Sequence, residues 1–148
     1  MLKRPTYDLL PIEKIAEISN KIFANHPEIK LGYLYGSYVN GNATIYSDID
    51  IGIVIDSNFS QEPLYGLKIQ SELEDFFLTN YCVSIDLRIL NESSPIFLNK
   101  AVRKGQLIYG SDIHFRTNFE LSIMHAYFDI KPFYEESKKK YLKALSND

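Results

Sequence analysis

Apolar positions recur along the chain in two rhythms, one of helical period and one of strand period, and their alternation predicts a sheet covered by helices. From Pro11 through Ala24, Ile12, Ile15, Ile18, Ile22 and Phe23 fall at helical spacing and predict a first amphipathic helix, followed by a strand over Lys30 to Tyr35. Gly36 and Ser37 interrupt that strand and begin a turn or short helix through Asn42, where glycine permits tight backbone geometry and serine can cap. From Ser47 the run DIDIGIVID alternates strictly, with Ile49, Ile51, Ile53 and Ile55 on one face and Asp48, Asp50, Gly52, Val54 and Asp56 on the other.

Further along, Ser60 with Pro63 in the first turn predicts a helix to about Leu78, with Leu64, Leu67, Leu73, Phe76 and Phe77 as its apolar stripe. A strand over Tyr81 to Leu90 follows. Ser94 and Pro95 start a helix that Gly105 stops, and Gln106 to Tyr109 reads as a short strand. The tail from Asp112 is helical, with an interruption expected near Pro132. The chain therefore reads as one α/β (α+β) domain over residues 1–148: a mixed central sheet flanked by helices, with a helical C-terminal tail over about 112–148.

Composition adds bounds. Hydrophobic residues make up 45% and charged residues 24% of 148, the balance of a chain that buries a core and folds unaided. The N-terminal stretch MLKRPTYDLLPIEKIAE spaces its charges too closely for a signal-peptide apolar region, and no segment approaches a membrane span, so a cytoplasmic location is expected. Cys82, the only cysteine, sits in the apolar run YCVSIDL and reads as a buried small side chain rather than a reactive thiol. The net charge of −3 argues against direct nucleic-acid binding. Its distribution says more: from Asp48 to Asp86 eight acids face one base, Lys68, giving −7 in that stretch and +4 elsewhere. The middle of the chain wants cations.

Asp48 and Asp50 share one strand face with Cα atoms about 6.8 Å apart, close enough for their carboxylates to converge on one ion. Two such groups repel and lose solvation unless a cation or a solvent-facing position relieves them. Magnesium suits a site of few carboxylates, because it takes oxygen ligands and keeps positions for waters and phosphate oxygens. Asp86, opposite Val83, Ile85, Leu87 and Ile89 on the later strand, supplies a third carboxylate if the strands are neighbours. Three carboxylates bracket two ions roughly 4 Å apart, one lowering the pKa of an attacking hydroxyl and one stabilising a leaving pyrophosphate, and Asp86 is also placed to take a proton.

Each piece alone has a plainer meaning. Paired aspartates on a strand also bind calcium in loops, hold a metal and a nucleotide sugar in glycosyltransferases, or lie on solvated edges, and Gly36-Ser37 alone is a turn. The combination is more specific, because backbone N–H groups and the Ser37 hydroxyl can hold phosphates while the aspartates hold the metals that bridge them. The stretch GSYVNGNATIYSDID, Gly36 to Asp50, resembles the GSx10DxD signature of the DNA polymerase β-like nucleotidyltransferase superfamily.

Within that superfamily the chain resembles the minimal nucleotidyltransferase (MNT) antitoxins of HEPN/MNT toxin–antitoxin systems, in its length and in the helical segment FELSIMHAYFDIKPFYEE from Phe119. The resemblance implies an antitoxin that transfers AMP from ATP to a tyrosine of a HEPN ribonuclease partner, using two Mg2+ ions. By motif position it implies that Gly36 and Ser37 hold the triphosphate, that Asp48, Asp50 and Asp86 are the catalytic and metal-holding carboxylates, and that Ser47, on the nucleotide side, orients or caps the turn before them. One departure is Asn40, where many relatives carry arginine; Arg88, Arg103 and Lys104 are candidates to replace that phosphate contact. The chain is not itself read as the HEPN ribonuclease, whose RxxxxHxY motif, laid on His125 and Tyr127, would need arginine where Glu120 stands. His125 then reads as a packing or hydrogen-bonding residue, the aromatics Tyr127, Phe128, Phe133 and Tyr134 as packing within the domain or against a partner, and the lysines of SKKKYLK as a solvated face. Two further readings stand beside this one: a small-molecule nucleotidyltransferase like those acting on aminoglycosides, and an inert antitoxin that neutralises by contact.

Overall fold

In the computed structural model, which describes residues 8–147, four strands form one mixed sheet in the order β3-β2-β1-β4. These are β1 (Ile29–Tyr35), β2 (Ile49–Ile55), β3 (Ile85–Ile89) and β4 (Gln106–Tyr109). β1 pairs antiparallel with both β2 and β4, whereas β2 and β3 run parallel, joined by the crossover helix α3 (Tyr65–Tyr81). The remaining helices are α1 (Ile12–Phe23), the single turn α2 (Ser37–Asn40), α4 (Pro95–Leu98), continued by a π-helical stretch over Asn99–Arg103, and the 34-residue α5 (Ile113–Ser146). The first seven residues of the N-terminal stretch considered above, and Asp148, lie outside the described residues. No helix among the described residues is long and apolar enough to cross a membrane.

The strand alternation divides the core in two. Ile49, Ile51, Ile53 and Ile55 of β2 and Ile85 and Leu87 of β3 pack on one face against Ile15, Ile18 and Phe23 of α1 and Ile69, Leu73 and Phe77 of α3. On the other face Leu31, Tyr33, Tyr35, Val54 and Leu90 meet Ala101, Val102 and Ile123, with Phe97, Phe115 and Phe119 around them. A register shift between Ile29 and Leu31 puts Ile29 on the first face although Leu31 lies on the second.

Three boundaries differ from expectation. α3 starts at Tyr65, not near Ser60, because Leu64 adopts a left-handed conformation (φ 65°). The Phe59 ring meanwhile folds onto Tyr65 at 5.3 Å, and the Tyr65 hydroxyl donates to Glu28 at 2.7 Å. These contacts outweigh the local start signal of Ser60 and Pro63. The same helix runs on to Tyr81, so Cys82 caps it at φ 55° and is exposed instead of lying buried in a strand. Finally, α5 continues through Pro132 without a break. A proline removes one N–H from the ladder and crowds one carbonyl a turn earlier, a local defect that the intact turns on either side can carry.

The two halves of α5 differ. Up to Tyr127 it covers the sheet, while from Phe128 onward almost every residue is exposed, including Phe133, Tyr134, Tyr141 and Leu145. Phe133 and Tyr134 therefore do not pack within the domain; Phe128, although exposed, carries the Arg103 guanidinium 5.6 Å from its ring centre. His125 is exposed rather than packed. Glu120 has a structural task, accepting from the Tyr33 hydroxyl at 2.9 Å and from Arg116 Nε at 2.8 Å.

Candidate nucleotide and metal site

One end of the sheet gathers the chemistry. Tyr35, the last residue of β1, pairs with Asp50 of β2, and Asp50 pairs with Asp86 of β3, so the three form a single row across the strands. Neighbouring strands lie about 4.8 Å apart, and residues in one row share a face, which places the Asp50 and Asp86 carboxylates side by side. Asp48 follows the same face one pleat earlier and is exposed just before β2 begins.

The turn after β1 abuts this row. Gly36 has φ 75°, a conformation that L side chains rarely adopt, and a Cβ placed there would overlap Asp50 Oδ2. Glycine is thus required twice over, by the backbone and by the carboxylate packed against it. Its carbonyl accepts from Val39 and Asn40, and Gly41 at φ 81° ends the turn with its N–H on the Ser37 carbonyl. The first N–H groups of α2 have no acceptor inside so short a helix, which leaves them available beside partly exposed Ser37. Ser47 closes the loop that leads to the aspartates: its hydroxyl accepts from the Thr44 N–H at 2.8 Å while its own N–H donates to the Thr44 carbonyl at 3.0 Å.

Electrostatically the row is overloaded with negative charge. Burial, then the charges of Asp86 and Asp48, push the Asp50 carboxyl above the usual range, and Arg88 and Lys100 only partly offset them. The Tyr38 hydroxyl is likewise raised, by burial and by Asp48. Of the cations considered as replacements for a contact at Asn40, Arg88 belongs to the site: its Nε lies 4.0 Å from Asp86 Oδ2 and its guanidinium rests 4.9 Å above the Phe97 ring. Arg103 instead donates to Asn99 at 3.2 Å and lines a separate cleft of about 390 Å³ with Tyr33, Arg116 and Glu120. Lys104 is exposed on the turn before β4. Two neighbours escaped the sequence reading. Lys100 arrives through the π-helical stretch, with no local signal to announce it, and Tyr35 read simply as the last apolar position of a strand, although its place immediately before Gly36 was the available clue.

A hard divalent cation fits this donor set, since three carboxylates with one held above its ordinary proton affinity form a site that a positive charge would relieve. Among the described residues, no three His, Cys, Asp or Glu side chains already stand together as a metal-holding group. Asp50 and Asp86 share a row with Asp48 one pleat earlier, and the three do not form a closed cage.

The family profile "Polymerase beta, Nucleotidyltransferase" matches residues 16–114, which span every residue of this row and the Gly36-Ser37 turn. The chain belongs to that family. Its nucleotidyltransferase fold is shared with solved structures of low sequence identity. A chain of a toxin–antitoxin complex with AMP-PNP superposes with a TM-score of 0.72 at 19% identity, covering 86% of this chain and 98% of the other. A chain of the MntA–HepT toxin–antitoxin complex gives 0.55 at 18% identity, covering 82% and 97%. A chain from the complex of tri-AMPylated Shewanella oneidensis HEPN toxin with MNT antitoxin gives 0.55 at 19%, covering 86% and 99%. Among curated proteins, none matches this nucleotidyltransferase-family chain in sequence.

Proposed function

We propose that this chain is a magnesium-dependent nucleotidyltransferase that acts as an antitoxin, transferring AMP from ATP to a tyrosine hydroxyl of a HEPN-domain toxin. The observation that carries the reading is the row of Asp50 and Asp86 directly against the Gly36-Ser37 turn, with Asp48 on the same face. The toxin–antitoxin setting of the structural neighbours, one with AMP-PNP and one with an AMPylated HEPN toxin, supports the choice of nucleotide and partner.

In this reading the free N–H groups of α2 and the Ser37 hydroxyl bind the β and γ phosphates, and Arg88 and Lys100 supply the positive charge that Asn40 does not. Asp48, Asp50 and Asp86 hold Mg2+, which when bound supplies Lewis-acid stabilisation of the phosphate charge. The acceptor oxygen forms a bond to the α-phosphorus, the bond from that phosphorus to the bridging oxygen breaks, and pyrophosphate leaves with the electron pair. The acceptor proton passes to the Asp86 carboxylate, which lies at the outer side of the row.

Incubation of the chain with α-labelled ATP, Mg2+ and a HEPN-domain partner protein tests this directly. Label and mass increments of whole AMP units on the partner are expected, and Asp48→Asn should abolish them. Transfer that persists in Asp48→Asn, or a partner neutralised without ATP and without added mass, would overturn the assignment.

A further inference from the structure

The Tyr35 side chain is 5% exposed, and its hydroxyl oxygen is buried with no hydrogen-bond partner among the described residues. An isolated buried hydroxyl costs stability, and replacing it by hydrogen in the same shape costs nothing. Its setting points to what the group is for. Tyr35 stands in the row next to Asp50, two strands from Asp86, and is held from its other side by the edge of Phe97, with ring centres 5.6 Å apart. Phe97 in turn carries Arg88, which faces Asp86. The ring is thus held against Phe97, while its hydroxyl, on the same face of the sheet as the two carboxylates, makes no hydrogen bond among the described residues.

We infer that Tyr35 is a positioning residue of the site, whose hydroxyl donates to the Asp50 carboxylate once a divalent cation has been taken up, fixing that carboxylate as a ligand. Metal-holding carboxylates characteristically accept hydrogen bonds from a surrounding layer of donors, and loss of such a donor typically weakens metal binding by about 10–100-fold. Burial of the ring, then the negative charges of Asp50 and Asp86 with Arg88 partly offsetting them, push the phenol up to about 12, so the group stays protonated and able to donate throughout the neutral range. The alternative donors near Asp50 are cations, Arg88 and Lys100, which compete for phosphate oxygens; a neutral hydroxyl orients the carboxylate without adding charge. Cation uptake thereby brings the Asp50 carboxylate and the Tyr35 hydroxyl into one hydrogen bond.

This inference rests on the nucleotidyltransferase reading, and the test separates the two. Mn2+ is titrated into wild type, Tyr35→Phe and Tyr33→Phe in the presence of α,β-methylene-ATP, with free ion followed by electron paramagnetic resonance, and the unfolding temperature of each metal-free protein is measured alongside. Tyr35→Phe is expected to raise the metal-free unfolding temperature while weakening Mn2+ binding at least 10-fold, and in a parallel assay with ATP saturating Mn2+ is expected to restore most of the transfer rate. Tyr33→Phe breaks the bond to Glu120 and should do the reverse, lowering stability and leaving Mn2+ binding unchanged. Equal Mn2+ affinity in wild type and Tyr35→Phe overturns the role of Tyr35 while the nucleotidyltransferase reading survives. Equal weakening in both tyrosine variants overturns it too. A wild type that takes up no Mn2+ overturns both.

Discussion

The two faces of the sheet are made from the same strands and serve opposite ends. Behind β2, Ile49, Ile51, Ile53 and Ile55 are essentially sealed by α1 and α3, with Ile15, Phe23, Ile69, Leu73 and Phe77 all fully buried. In front, the same strand presents Asp50 beside Asp86, two like charges in one row, with Asp48 a pleat away. Apolar burial contributes about 25 cal/mol per Å2, so the closed face stabilises the fold by a wide margin. That surplus is what allows one end of the other face to keep carboxylates that repel one another. The comparison makes a general prediction: changes behind the sheet move stability and spare chemistry, whereas changes among the carboxylates at the end of the other face move chemistry and spare, or even improve, stability.

The largest effect is expected in front. Asp48→Asn should reduce AMP transfer by roughly 10³-fold or more, about 4 kcal/mol in barrier height, while its urea unfolding curve stays close to wild type. A transfer rate within 10-fold of wild type would break the comparison at its centre. Behind the sheet, Phe77→Ala is expected to cost about 3–5 kcal/mol, read as a lower urea midpoint at unchanged slope, with transfer per folded molecule preserved. Loss of activity in protein shown to be folded would mean that the closed face also shapes the site.

Gly36 joins the two sides of the comparison and should show both effects at smaller size. Gly36→Ala imposes a side chain at φ 75° and drives it into Asp50 Oδ2. A stability loss of about 1–3 kcal/mol is expected, together with weaker metal-dependent ATP binding by calorimetry, since Asp50 must move. Wild-type ATP binding in a destabilised Gly36→Ala protein would show that the Asp50 position against the turn is not needed for nucleotide.

Legibility in the sequence follows the same division. Strict alternation through DIDIGIVID specified β2 and both of its faces, because period-two patterning is imposed wherever one face is buried. The turn at Gly36 was equally readable, since only glycine satisfies its backbone. What escaped depended on distant partners. The start of α3 was set by Phe59 against Tyr65 and by Glu28, thirty-seven residues from Tyr65, against which the local signals of Ser60 and Pro63 did not prevail. Pro132 left α5 continuous, so a residue that usually punctuates helices gave the wrong boundary. Within the site, the row of Tyr35, Asp50 and Asp86 exists only through strand pairing; Lys100 leaves no trace in local pattern, and for Tyr35 the only local clue is its place before Gly36.

The smallest expected effect is also the one with an unusual sign. An acid whose folded-state pKa lies above its unfolded value binds a proton more tightly in the folded protein, so stability falls as pH rises through that range and the full penalty stands above the folded pKa. Asp50 is such a group, raised by burial and by its acidic neighbours. In metal-free protein at pH 7, Asp50→Asn should therefore be more stable than wild type, read as a higher unfolding temperature. As pH is lowered through the raised Asp50 pKa the wild-type carboxylate protonates and the gap should close. Adding Mg2+ and ATP at pH 7 should reverse the order, because only the wild type has the charge to hold them and binding to the folded state adds stability. Thermal scans of both proteins at pH 5 and pH 7, with and without Mg2+ and ATP, would record all of this. An Asp50→Asn protein less stable than wild type in every condition would mean that the carboxylate holds the fold together, and the division between the two faces would not stand.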